Sequence, residues 1–180
     1  MQTIPSIQVE NTVGASRRLL EEALQEAGFT SNMVRTMAQS PRVLQGYLEF
    51  NRVLAGGKLS PKIREQVALT IAQTNQCEYS LAQHSALARQ IGLTPEEILA
   101  SREVRAADPK TGAVLRFARD VVARNGDASA RELREMGYSD SDIVDIVAHI
   151  ALNVFDNYFN LVARTELDFP KVSLELKAAA

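Results

Sequence analysis

Cys77, Ser80 and His84 follow one another at spacings of three and four residues, so on a helix they share one face, and Glu65 lies twelve positions before the cysteine. A thiol, an imidazole and a carboxylate are the parts of an activated sulfur nucleophile. Cys77 is the only cysteine in the chain and His84 is one of two histidines. Asn75-Gln-Cys-Glu78 reads as a helix start capped by Asn75. That places Cys77 in the first turn, where unpaired backbone N–H groups favour a thiolate. Ionisation alone gains little, because a thiol of lower pKa is also a weaker nucleophile. Peroxide chemistry needs in addition a proton donor for the leaving oxygen, a part that His84 or Glu65 can fill. Ser80 stands where a second sulfur would complete a Cys-x-x-Cys pair, and a hydroxyl cannot enter a disulfide cycle.

Each residue also has a plainer reading. Free cysteine is among the most buried residue types and is usually inert. His84 shares its stripe with Leu81, Ala88 and Ile91, and taken alone it reads as a hydrogen-bonded core residue. Glu65 falls in the first turn of a helix opened by Ser60-Pro61, where a solvated glutamate is the default. His149 belongs to a polar stripe and is expected to face water. Two histidines and one cysteine at distant positions match no zinc spacing, so neither a metal nor a cofactor is expected.

The elements that must position these residues are helical. Residues 1–11 read as an extended arm, kept out of helix by Pro5. An amphipathic stretch from about Ala15 to Ala27 stops at Gly28. Ser40-Pro41, Ser60-Pro61, Thr94-Pro95 and Asp108-Pro109 repeat one start signal, with proline where its missing N–H costs nothing. Ser129–Glu132 and Ser139–Asp142 read as a capping box and its near relative. Strand signals are almost absent, and 171–180 reads as tail. The expectation is one all-α domain over 12–170, a bundle of seven or eight helices. The last helix, roughly Asp140 to Arg164, is apolar around most of its circumference. Its narrow polar stripe comprises Asp142, Asp145, His149, Asn153, Asp156, Asn160 and Arg164. A helix apolar over that width is buried on more than one side, in a core, against another subunit, or both.

At 180 residues the chain can bury a core without staples. A net charge of −2 argues against a nucleic-acid partner. No unbroken apolar run of membrane length and no leader pattern are visible, so the expected location is cytoplasmic.

Together, Glu65-x11-Cys77-x2-Ser80-x3-His84 resembles the alkylhydroperoxidase D and carboxymuconolactone decarboxylase-like family, whose redox members read Glu-x11-Cys-x-x-Cys-x3-His. The flanking Gly92-Leu-Thr-Pro-Glu-Glu-Ile98 agrees with the family, and Asn153-Val-Phe-Asp-Asn-Tyr-Phe-Asn160 is similar to its peroxidase-related branch. The resemblance implies an all-helical oligomer that reduces hydroperoxides and is recharged by an external thiol or dithiol, such as a lipoylated protein. It carries Glu65 and His84 over as the proton relay and Cys77 as the first cysteine, while Ser80 replaces the second. The expected function is a one-cysteine thiol peroxidase that uses Cys77 with His84 and Glu65 as proton relay. The alternatives are a non-redox lyase of the lactone-decarboxylating branch and an oligomeric scaffold without turnover.

Overall fold

The computed structural model describes residues 2–176 and contains nine α-helices and one 3₁₀ turn, with no strand among the described residues. The helices are α1 (Gly14–Ala27), α2 (Asn32–Met37), α3 (Pro41–Ala55), α4 (Pro61–Thr74), α5 (Glu78–Gln90), α6 (Pro95–Arg102), α7 (Pro109–Ala123), α8 (Arg131–Glu135) and α9 (Asp140–Ala163). The expected seven or eight becomes nine because α2 and α8 are short pieces of six and five residues. The predicted starts hold where a side chain can cap: Ser60, Thr94, Asp108 and Ser139 each accept a first-turn backbone N–H. Ser129–Glu132 makes no capping box. Ala130 is the cap, Ser129 accepts only from the Arg131 N–H, and Glu132 is drawn to Arg116 instead. The arm is extended up to the 3₁₀ turn at Val9–Asn11, and Thr3 donates its N–H to the carbonyl of Ala163, at the end of α9.

α4 is the centre of the bundle, packed against α5, α6, α7 and α9, and its residues from Val67 to Gln73 are all buried. On one side Val67 and Ile71 meet Val114, Leu115, Leu133, Ile146 and Ile150 from α7, α8 and α9. A second cluster joins Leu20, Met33, Met37 and Leu44 of α1–α3 to Cys77 and Tyr79 at the start of α5. The segment 165–176 is tied down by Asp168, which accepts from the Tyr79 hydroxyl, and by the Leu174 carbonyl, which accepts from Gln73.

α9 departs most from expectation. From His149 to Asn160 its polar stripe turns inward: His149, Asn153, Asp156 and Asn160 are buried, as is the neighbouring Asn157. Part of its apolar surface turns outward, with Val144 and Val162 at 67% and 68% exposure and Phe155 and Tyr158 also exposed. By length and composition this helix is apolar enough to cross a membrane, and half of that stretch is buried inside the fold. The outward residues Val144, Ala148, Ala151, Phe155, Tyr158 and Val162 repeat at three and four, the spacing of a helix-pairing seam. The expected outcome is a homo-oligomer that uses this seam. Replacing Val144 and Val162 with lysine should lower the mass seen by light scattering while leaving the helical circular dichroism unchanged. A wild-type chain that is monomeric at micromolar concentration would contradict it.

Candidate active site

The connection between α4 and α5 determines what can meet. Gln76 takes the left-handed region at φ 53°, the Cys77 N–H bonds to the Ala72 carbonyl at 2.9 Å, and the Gln76 N–H bonds to that of Gln73. This is a Schellman closure of α4, in which Asn75 is the C-cap and Cys77 becomes the N-cap of α5. The reading of Asn75 as a cap with Cys77 inside the first turn is therefore corrected. The turn folds α5 back along α4, so the second half of α5 lies beside the first half of α4.

His84 and Glu65 meet as a result. Nδ1 of His84 lies 2.8 Å from Oε2 of Glu65. The plainer reading of Glu65 as a solvated residue fails, because its side chain is only 19% exposed. Burial pulls the pKa of His84 down, but the charges of Glu65 and Asp156 and the hydrogen bond that Glu65 accepts outweigh it, and the net shift is upward. Nε2 of His84 is buried with no partner among the described residues.

Cys77 and Ser80 form a separate pair. Sγ of Cys77 donates to Oγ of Ser80 at 3.2 Å and has a longer contact, 3.7 Å, to the Asn157 carbonyl. Asn160 donates to the same Ser80 hydroxyl at 3.4 Å. Cys77 is 1% exposed and Ser80 fully buried. Burial pushes the thiol pKa up, against the smaller pull of Ser80, so the expectation of a thiolate favoured by the helix start is overturned.

A cavity of about 210 Å³ opens beside the first pair and not the second. Tyr47, Arg64, Glu65, His84, His149 and Asp156 line it, and neither Cys77 nor Ser80 does. Arg64 makes no ion pair among the described residues and lies close enough to His149 to help lower its pKa, behind the larger effect of burial. His149, expected to face water, is 5% exposed. Asp156 is equally buried, and burial raises its pKa to about 7 against the opposing pull of His84 and Tyr47. The four residues marked by the sequence thus divide into two on the cavity and two behind its wall, and Asp156 and Tyr47 join the first two. A larger groove of about 750 Å³ between α4, α6 and α7 holds neither histidine nor cysteine.

Comparison with known proteins fits this frame. The model of the carboxymuconolactone decarboxylase family matches residues 41–124, the stretch that carries Glu65, Cys77, Ser80 and His84. That stretch is similar to this family's domain. No curated protein matches. The AhpD-core peroxidase-related protein of Ralstonia eutropha JMP134 superposes with a TM-score of 0.81 at 24% identity, covering 93% of this chain and 92% of that one. A peroxidase-related protein of Silicibacter sp. TM1040 gives 0.73 at 19% identity over 97% and 95%. A cysteine-to-alanine variant of the debrominase Bmp8, solved with 2,3,4-tribromopyrrole, gives 0.78 at 16% identity over 93% and 92%. The fold is therefore AhpD-like over nearly the whole chain.

Asp156 makes stability depend on pH. Its folded pKa of about 7 lies above the ordinary 3.8, so the folded chain holds a proton that the unfolded chain releases. Stability is then fully present below pH 4 and declines as pH rises through 7. His84, also shifted upward, adds a loss of the same sign as pH rises through its folded pKa. Asp156→Asn should therefore be more stable than wild type at pH 8, by on the order of 2–4 kcal/mol, with the gain fading below about pH 4. Urea unfolding at pH 4, 6 and 8 measures this, and a variant less stable than wild type at pH 8 would contradict it.

Proposed function

We propose that the protein is a proton-transfer enzyme acting on a small carboxylate-bearing substrate, a lyase of the decarboxylase type, with Glu65 and His84 as its working pair. One observation carries this reading: the cavity presents that dyad, while the thiol lies behind the wall. With Nδ1 committed to Glu65, His84 works through Nε2, accepting a proton when neutral and donating one when charged. Arg64, a cation at the cavity wall with no ion pair among the described residues, suits a substrate carboxylate. In a decarboxylation the bond to the carboxylate carbon breaks, its electron pair enters the unsaturated ring, and carbon dioxide leaves. His84 then delivers a proton to carbon and regains one from solvent. The volume of about 210 Å³ suits a small ring. The ligand of the debrominase is likewise a small ring, held by the same fold.

A second reading keeps the sulfur at the centre, and the Cys77–Ser80 hydrogen bond favours it, as does the likeness to peroxidase-related proteins. Here the Cys77 sulfur attacks the near oxygen of a hydroperoxide, and the O–O bond breaks. The thiol proton passes to His84, which returns it to the departing alkoxide, so the alcohol leaves and Cys77 becomes a sulfenic acid. One external thiol converts this to a mixed disulfide and water, and a second restores Cys77 as a disulfide of the reductant.

Variants of Cys77 and His84 separate the two. Under the first reading Cys77→Ala decarboxylates an unsaturated lactone acid at close to the wild-type rate, and His84→Gln loses roughly 100-fold or more in kcat/KM. A wild-type enzyme that consumes alkyl hydroperoxide with a dithiol faster than free cysteine does, and loses this in Cys77→Ala, would replace the first reading with the second.

A further inference from the structure

Two polar atoms in the cavity wall lack partners, and they belong to complementary groups. Nε2 of His84 and Oδ1 of Asp156 are both buried, and no described residue hydrogen-bonds to either. Both side chains line the same cavity, His84 from α5 and Asp156 from α9. An unsatisfied buried polar atom costs free energy, and two of them on residues that line one small cavity suit a partner that enters it. The geometry points to Asp156 as a second acid–base group of the site, sharing a proton with His84 across the cavity through a bridging water or the substrate itself. Nothing in the family match reaches this residue, since the matched stretch ends at 124.

The surroundings of Asp156 favour that role. Tyr47 on α3 lies beside the carboxyl and is itself held neutral, its pKa raised by burial and by the charge of Asp156. From α4 the cavity receives Glu65, already committed to Nδ1 of His84, and Arg64. α5 contributes His84 and, behind the wall, Cys77, whose thiol is raised in part by Asp156. One turn and two turns earlier on α9 lie Asn153 and His149, and Asp145 bears on His149. Among the described residues Arg64 is the one cation of fixed charge on the cavity wall. Asp156 accordingly keeps its proton until near neutrality and can hand it over within the physiological range. Glu65 orients the imidazole from one side, and Asp156 exchanges a proton from the other. This extends the proton-transfer reading, on which its use in catalysis rests.

A chain with two histidines allows a test that needs no substrate. The imidazole resonances of the whole protein are followed by NMR from pH 4 to 9 in wild type, in Asp156→Asn, and in His149→Gln, which assigns the signals. The expected wild-type His84 curve has two coupled steps, and Asp156→Asn reduces it to one step shifted to lower pH. Carbon-detected titration of the Asp156 carboxyl in wild type is the second measurement, and it holds even if the variant does not fold. It should show a midpoint near neutrality. Identical His84 curves in wild type and a folded variant, or an Asp156 carboxyl that titrates near the ordinary value of about 4, would overturn the inference. A failed decarboxylation assay with the coupled titration intact would refute the lyase reading and leave the proton-sharing pair standing.

Discussion

The hydrogen bond between Glu65 and His84 depends on one backbone feature, the left-handed residue at Gln76. The two side chains are nineteen positions apart on different helices. They meet only because α4 closes in a Schellman turn that sends α5 back along it. A non-glycine residue in that region is unfavourable by itself. It is maintained here by two backbone hydrogen bonds and by the buried contacts of α4 with α5. The same turn determines the fate of the sulfur. As the N-cap of α5, Cys77 leaves the helix with an extended backbone and enters the cluster of Leu20, Met33 and Leu44.

α9 supplies the rest of the site by presenting its polar side to the bundle. Ten residues in its span are buried, and half of them are polar or charged: His149, Asn153, Asp156, Asn157 and Asn160. Asn160 reaches Ser80, Asn157 accepts at its carbonyl from Cys77, and Asp156 faces His84 across the cavity. Burying such a stripe is costly unless its groups find partners. Several do so with each other and with α5. Among the atoms with no partner in the described residues are Oδ1 of Asp156, on the cavity, and Nδ2 of Asn157 and Oδ1 of Asn160, away from it. The apolar residues displaced to the outside then form a regular seam along the helix.

Much of this was legible in the sequence, for identifiable reasons. Start signals such as Thr94-Pro95 and Asp108-Pro109 are local hydrogen-bond chemistry, and they located the helices to within a residue or two. The spacing of Glu65, Cys77, Ser80 and His84 read as one site, the last three on one helix face, and the structure divides it into the Glu65–His84 pair on the cavity and the Cys77–Ser80 pair away from it. Two things were not legible. Gln76 is not a glycine, so nothing in its type announced a left-handed turn, and the helix start was read two residues early. On α9 the width of the apolar surface implied that the polar stripe faced water, which hid Asp156 and His149. The periodicity of a stripe was visible; the side on which it is buried depends on which helix packs there.

The account turns on the separation of the thiol from the cavity that holds the dyad. The rate at which native Cys77 reacts with a small disulfide reagent such as 5,5′-dithiobis(2-nitrobenzoate) tests it directly, read against the same chain in denaturant. A sulfur behind the wall, with its pKa raised by burial, should stay unmodified for hours at pH 8 and react at once on unfolding. Stoichiometric reaction of the native protein within seconds would mean that the thiol is open to solvent and to substrate, and would contradict the account.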